Sequence, residues 1–282
     1  MSNLTFNTFI YLLEMIGTIA FAISGVQVAA QRRMDLFGAI VLGCTTACGG
    51  GVLRDLLLGI TPPGMFLDPS YILVAFLTSL ITFIIMYAVQ KTKRETRKSK
   101  RDFHHENKGV CRCTAEINSN HKARDIAYIK NDGKRAIHED TDESSDSRNI
   151  AADRTHPHNT DIYTRHADSA LNAADAVGLA SFVIIGYQGS FAAGYTNRFL
   201  AIFVAVITGI GGGIIRDIMA GQMPLIMRRR IYGVAAIAGA IVFDICWHTV
   251  LSNVTSSLIA MAVTVLVRFL ATHYRWNLPS FG

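Results

Sequence analysis

Lysine is absent from most of this 282-residue chain. Lys and Arg together number 27, but 17 of them lie between Lys91 and Arg165, and the ten outside that segment are all arginine. Several of these arginines flank apolar runs, where charges set the topology of a membrane protein, and they are not clustered like a groove that follows nucleic-acid phosphates. The net charge of +6 therefore does not predict nucleic-acid binding.

Cysteine is also scarce. The five cysteines stand at positions 44, 48, 111, 113 and 246, and this scatter predicts no disulfide framework. The His and Cys pairs between positions 104 and 158 match no standard zinc spacing, and the apolar segments contain no nucleophile or paired-acid motif. We therefore expect neither an enzyme nor a resident metal or cofactor.

Long apolar runs dominate the sequence outside the polar segment. Half of the residues are hydrophobic and the mean hydropathy is +0.30, values typical of a membrane protein. Seven runs approach the ~20 residues that cross ~30 Å of hydrocarbon as a helix. They cover about residues 9–30, 36–58, 71–89, 171–191, 199–219, 231–248 and 254–272. The sequence thus predicts an all-α membrane protein with seven transmembrane helices.

Residues 91–168, between the third and fourth runs, are polar. They show no sustained apolar period and predict a disordered linker. The linker opens with a basic cluster, Lys91–Arg101, directly after a membrane span, where anionic lipid would attract it. Topology setting alone explains the same cluster.

One pattern, G-G-G-x-x-R-D-x-x-x-G-x-x-P, begins at Gly49 and again at Gly211. Every matched position differs by 162, which indicates an internal repeat. A weaker match of Glu14 with Asp175 extends the repeat into the first span of each copy. The predicted domains are a three-helix repeat (9–90), the linker (91–168), a second three-helix repeat (169–249) and a seventh helix with its tail (250–282).

Three spans per repeat place the two copies in opposite orientations, an inverted 3+3 arrangement that recurs in secondary transporters. The basic residues near span ends fall on one side of this arrangement, and the opposite loops offer only Arg198. The positive-inside rule therefore predicts an external N-terminus and a cytoplasmic C-terminus.

Three consecutive glycines inside a span have two explanations. They allow close packing, because small residues let transmembrane helices approach each other. They also permit a kinked or broken helix, since each glycine lowers helix propensity by roughly 1 kcal/mol relative to alanine. Free carbonyl and N–H groups at a break would bind a small polar solute. Both explanations stay open, and the second places a binding site at the two glycine triplets.

An Arg-Asp pair follows the glycines in both copies. Charge that faces lipid is costly, so each pair should face the helix bundle or find a partner. Because adjacent helix residues point about 100° apart, we expect pairing across the repeats, Arg54 with Asp217 and Arg216 with Asp55. The alternative is that each side chain reaches the membrane interface independently.

Glu14 and Asp175 are acids near the span ends. They are candidates for attracting cations or for forming a gate, and the alternative is that they are simply solvated at the membrane interface. Inside spans six and seven, we expect Asp244 to pair with Arg268. The candidate pathway residues are Gly49, Gly50, Gly51, Gly211, Gly212, Gly213, Arg54, Asp55, Arg216, Asp217, Glu14 and Asp175.

The doubled glycine motif, on the middle helix of each three-span repeat, resembles that of bacterial inner-membrane proteins with two glycine-transporter-type domains. These are relatives of the trimeric intracellular cation (TRIC) channels. The resemblance covers about residues 9–89 and 171–272. It implies a seven-helix protomer with helices 2 and 5 kinked at the triple glycines, a separate pathway in each protomer, and a homotrimer in the inner or plasma membrane. The long linker departs from the family, whose repeats are joined by a short loop.

Transport of a small polar solute is the function that these features predict. A glycine-type zwitterion suits a site with both N–H and carbonyl ends, and it is the solute that we expect. A monovalent cation such as potassium or sodium suits carbonyls and acids alone, and is the alternative. A membrane-anchored scaffold that acts through the linker is a further alternative.

Overall fold

A computed structural model of the chain describes residues 2–92, 95, 160–228, 231–249 and 252–274. Every secondary-structure element in these ranges is a helix, which confirms the all-α prediction for them. The helices, in chain order, are α1 (Ser2–Gln31), α2 (Leu36–Leu57), α3 (Gly64–Leu67), α4 (Ser70–Thr92), α5 (Thr160–Ala192), α6 (Arg198–Met219), α7 (Leu225–Arg228), α8 (Ile231–Trp247) and α9 (Asn253–His273).

Seven of these helices are apolar. Six of them, α1, α2, α4, α5, α6 and α9, are long and apolar enough to cross a membrane. Helix α8 has 17 residues. At 1.5 Å per residue it is ~26 Å long, a little short of a full span. The seven apolar helices coincide with the seven predicted runs, and α3 and α7 are single turns.

The chain divides into two compact units, Met1–Met86 with Asp161–Gly282, and Tyr87–Thr160. The first unit contains almost all of the described helices. The predicted linker is helical at both of its described ends, because α4 reaches Thr92 and α5 already begins at Thr160. Helix α5 therefore begins before residue 169, where the second repeat is predicted to start. The interior of the linker, with most of the basic cluster, lies outside the described residues.

The internal repeat reappears in the helices. Helices α2 and α6 both have 22 residues, and the side chains of Asp35 and Asn197 cap their N-termini by accepting backbone N–H groups. Past their C-termini, Gly59 has φ 72° and Gly221 has φ 63°, a left-handed conformation that favours glycine. The same local signals therefore begin and end both helices. Helix α9 has no counterpart among the described helices of the first repeat.

Helices α2 and α6 cross backbone to backbone at the triple glycines. A Cβ added to Gly50 would lie 2.4 Å from the carbonyl oxygen of Thr208, and a Cβ added to Gly212 would lie 2.4 Å from that of Thr46. The two contacts are equivalent by the repeat offset, so each helix contributes the same positions to the crossing. No side chain fits at either glycine unless one helix shifts away from the other.

Both helices are continuous through their glycines, at residues 49–51 and 211–213. Helical hydrogen bonding engages the carbonyl and N–H groups that a broken helix would expose. The expectation of a broken helix with free backbone ends is therefore wrong. The missing Cβ atoms let the helices approach closely and do not unwind them, and the kink stays a prediction.

Candidate functional site

Charged side chains of α1 and α2 form a cluster in the first repeat. The Nε of Arg54 donates to Oδ1 of Asp55 at 2.8 Å, and its Nη1 lies 3.4 Å from Oε1 of Glu14. The other oxygen of Glu14, Oε2, accepts a hydrogen bond of 2.8 Å from the hydroxyl of Tyr71 in α4. The side chains of Arg54 and Glu14 remain 16% and 18% exposed, so this cluster is only partly buried.

The equivalent cluster of the second repeat is fully buried. Nε of Arg216 donates to Asp217 at 2.9 Å, and its Nη1 donates to Oδ1 of Asp175 at 2.7 Å and to the hydroxyl of Ser24. The other oxygen of Asp175, Oδ2, accepts from the guanidinium of Arg268 in α9. Two guanidinium groups thus balance two carboxylates away from solvent.

Tyr232 in α8 is the counterpart of Tyr71 by the offset that relates Asp175 to Glu14. The guanidinium carbon of Arg268 lies 4.2 Å from the centroid of its ring, within the range of a cation–π interaction. The hydroxyl of Tyr232 has no hydrogen-bond partner among the described residues. Arg268 holds the carboxylate oxygen that a tyrosine hydroxyl holds in the first repeat.

Each motif arginine pairs within its own repeat, so the predicted cross-repeat pairing is wrong. Arg54 and Arg216 fold back through Nε onto the aspartate that follows them in sequence. Both aspartates are held by a second bond, because their Oδ2 accepts from the first amide of the next short helix, at 2.8 Å in α3 and 2.7 Å in α7. N-terminal amides of a helix have no partner within the helix. Asp55 and Asp217 therefore connect each glycine helix to the turn after it.

The predicted pair of Asp244 with Arg268 is also wrong. Asp244 accepts a hydrogen bond of 2.5 Å from the hydroxyl of Tyr187 and pairs with Nε of Arg198 at 3.0 Å. Arg268 lies instead against Asp175. Arg198 is the first residue of α6, so its ion pair ties the start of that helix to α8.

A cavity of about 260 Å³ lies beside the first-repeat cluster. Three carboxylates and one guanidinium line it, which gives the lining a formal charge of −2. One of the carboxylates, Asp68, is exposed, and hydrogen bonding by Ser70 lowers its pKa below the ordinary value. The charged lining residues are Glu14, Arg54, Asp55 and Asp68, and the other lining residues include Thr18, Gly51 and Tyr71.

The six candidate glycines form three equivalent pairs. The middle pair makes the backbone crossing. Gly49 and Gly211 pack on apolar side chains of the opposite helix, 2.8 Å and 2.6 Å from an added Cβ. An added Cβ at Gly51 meets nothing within 4 Å, whereas at Gly213 it would lie 2.9 Å from the hydroxyl of Tyr232. The third pair therefore faces open space in one repeat and a filled interior in the other.

Sequence reasoning missed Tyr71, Thr18 and Asp68 in the cavity lining. The signal that would have found the last two is a difference between the repeats. Thr18 aligns with Leu179 and Asp68 with Arg229 when the copies are matched at the offset of Glu14 and Asp175. Thr18 and Asp68 therefore have no chemical equivalent in the second copy, and a position-by-position comparison of the copies would have singled them out.

A family model described as glycine transporter matches residues 11–87 and 172–248, which are the two three-helix repeats. The chain belongs to the glycine transporter family. The UPF0126 inner membrane protein YadS of Escherichia coli K12 is 31% identical over 274 residues, which cover 97% of this chain and 96% of that protein. The UPF0126 membrane protein YvgT of Bacillus subtilis is 28% identical over 269 residues, with 95% of each chain covered.

Solved structures with the same fold are TRIC channels. One, from work on conductance through TRIC cation channels, has a TM-score of 0.62 and 27% identity, with 96% of each chain covered. The TRIC trimeric intracellular cation channel orthologue of Rhodobacter sphaeroides has a TM-score of 0.64 over 95% of this chain and all of its own, and at 24% identity it shows the fold alone. This member of the glycine transporter family is a membrane transport protein with the TRIC fold.

Proposed function

We propose that this protein is a monovalent cation channel whose pathway passes the first-repeat cavity. The charge of the lining carries the proposal, because three carboxylates face a single guanidinium there. A narrow site with negative walls concentrates cations and repels anions. The likeness to a TRIC cation channel supports the same class of solute.

Glycine is the second candidate. The expectation of a zwitterion relied on free N–H groups at a helix break, and α2 and α6 are continuous at their glycines. One observation still favours glycine, since the guanidinium of Arg54 lines the cavity and is a group that binds carboxylates. Two nitrogens of this guanidinium already face Asp55 and Glu14, which leaves less of it for a solute.

The pathway residues that we propose are those of the first repeat that line the cavity, namely Glu14, Gly51, Arg54 and Asp55. Their second-repeat counterparts have a structural role in this proposal, because Arg216, Asp175 and Asp217 are fully buried and each belongs to an ion pair. The glycines at the helix crossing position the pathway without lining it.

We further propose a homotrimer in the inner membrane, with one pathway in each protomer. The trimeric structural relative and the inner membrane relative support this assembly and location. Chemical crosslinking of the purified protein in detergent, read by mass, tests the assembly. A dominant monomer or dimer at micromolar concentration contradicts it.

The inverted 3+3 topology, with an external N-terminus, is part of the same proposal. An accessibility tag in the loop at residues 61–68 should be labelled from outside the cell, and one at residues 222–227 only from inside. Labelling of both tags from one side contradicts the inverted arrangement.

The decisive measurement is flux into proteoliposomes, comparing potassium with labelled glycine under an imposed membrane potential. The proposal predicts potassium flux that follows the potential and little glycine uptake. Glycine uptake without potassium flux would establish the second candidate.

Deletion of residues 96–159, which leaves α4 and α5 intact, tests the scaffold alternative. A transporter should keep its flux after the deletion, whereas a scaffold that acts through the linker should lose its cellular function. A longer deletion, of residues 93–159, also removes most of the basic cluster Lys91–Arg101. Comparing the binding of this shortened protein and the intact protein to vesicles with and without anionic lipid tests the proposed lipid contact of the cluster.

A further inference from the structure

The carboxylate in the first long helix of each repeat, Glu14 or Asp175, has a different partner at its second oxygen. In both, one carboxylate oxygen faces the motif arginine, at 3.4 Å for Glu14 and 2.7 Å for Asp175. The second oxygen of Asp175 accepts from Arg268, a permanent cation tethered to α9. The second oxygen of Glu14 accepts from the hydroxyl of Tyr71, a neutral donor, and both residues line the cavity.

In the second repeat, the acid Asp175 is therefore seen in contact with a cationic group, the side chain of Arg268. The guanidinium of Arg268 touches the carboxylate of Asp175 and lies 4.2 Å from the ring centroid of Tyr232. The hydroxyl of Tyr232, which corresponds to the donor of the first repeat, is left without a partner among the described residues. The carboxylate of Asp175 and the ring of Tyr232 thus contact the cation, while the hydroxyl of Tyr232 does not bond to the carboxylate.

From this equivalence we infer that the first-repeat cavity contains a monovalent cation site between Oε2 of Glu14 and the ring of Tyr71. The hydroxyl of Tyr71 is a cap on that site, and an entering cation displaces it. The cation gains a charged partner and a ring in place of one neutral hydrogen bond. This inference rests on the proposed cation function and adds the atoms that bind the ion.

Methylguanidinium is the probe for this site, because it is the free form of the group that Arg268 carries into the equivalent position. A ligand that binds the folded protein raises its melting temperature in a concentration-dependent way. The first readout is therefore the thermal midpoint of the purified protein in detergent with increasing methylguanidinium, at constant ionic strength. The second readout is inhibition of potassium flux into proteoliposomes by the same compound.

Four proteins make the test. The wild type should be stabilised and inhibited, and Glu14→Gln should lose the stabilisation. Tyr71→Phe removes the competing hydroxyl and keeps the ring, so the probe should act at about tenfold lower concentration, the order expected for one hydrogen bond to a charged group. Tyr232→Phe is the matched control, and it should behave as the wild type because its hydroxyl has no described partner.

The outcomes separate this inference from the proposed function. Potassium flux with the same methylguanidinium response in the wild type, Glu14→Gln and Tyr71→Phe overturns the cation site and leaves the channel proposal standing. An equal response of Tyr71→Phe and Tyr232→Phe overturns the displaceable cap. Glycine uptake without potassium flux in the wild type overturns the proposed function itself.

Discussion

The two repeats carry the same glycine, arginine and aspartate motif in opposite environments. In the first, an acid, an arginine and a tyrosine surround an open cavity of about 260 Å³. In the second, the same residue types are buried beneath α9, and Arg268 fills the position beside the acid. A duplicated motif therefore predicts a duplicated backbone. Whether the charged residues of each copy line a cavity or form a buried cluster depends on the helix that packs against them.

The largest effect should come from Asp175→Asn. This change leaves two buried guanidinium groups without their shared carboxylate, and breaking a buried pair in this way costs about 3–5 kcal/mol. Glu14→Gln is the matched change in the first repeat and should cost about 1–2 kcal/mol, since Arg54 and Glu14 are partly exposed to solvent there. Denaturation in detergent measures both free energies of unfolding. Equal losses would contradict the contrast between the repeats.

The glycine pairs should give the next largest effects. Gly50→Ala and Gly212→Ala each force a Cβ against a backbone carbonyl, and overpacking of this kind costs about 1–3 kcal/mol in both repeats. Gly51→Ala is the control, because an added Cβ there meets nothing within 4 Å. It should keep or raise the stability of the wild type, by up to roughly 1 kcal/mol, and lower flux by narrowing the cavity. Stable Gly50→Ala protein with normal flux would show that the crossing tolerates a shift.

Coupling energies should follow the observed pairs. Arg54→Gln with Asp217→Asn should give additive changes in unfolding free energy, within about 0.3–0.5 kcal/mol, because the two residues belong to separate clusters. Arg54→Gln with Glu14→Gln should show coupling of about 0.5–1 kcal/mol. A double-mutant cycle for each pair measures this. Strong coupling of the first pair would restore the cross-repeat interpretation.

The smallest effect should come from Asp68→Asn. This exposed carboxylate has no buried partner to lose, so stability should not change, while potassium flux at low salt should fall by about twofold through weaker attraction of cations. High ionic strength should abolish the difference. Because Ser70 lowers the pKa of Asp68, its contribution to flux should be lost at a lower pH than that of an ordinary aspartate as the pH falls.

The sequence predicted the helices and the repeat well because their signals are local. Apolar runs located all seven apolar helices, and the shared offset paired α2 with α6 before any contact was known. The motif could not distinguish a packed crossing from a broken helix. That choice depends on the carbonyl oxygens of Thr46 and Thr208, which belong to the opposite helices.

The partners of the charged residues depended on tertiary packing. Arg54 meets Asp55, its neighbour in sequence, because the aspartate is anchored on the first amide of α3 and the long arginine side chain folds back to it. Arg268 has no counterpart in the first repeat, so no alignment of the two copies could assign it to Asp175. The asymmetric residues of the cavity were visible in the sequence, but only a search for differences between the copies would have found them.

The ion pair between Asp175 and Arg268 also bears on the order in which the protein is made. The two residues are 93 positions apart, so a ribosome that adds roughly 5–20 residues per second needs about 5–20 s to supply the second partner. Glu14 meets Tyr71 after only 57 positions. The first half is thus complete while the second still waits for its last helix. Release of a chain truncated before α9 would leave Arg216 to balance both Asp175 and Asp217, and we expect quality-control proteases to remove such fragments.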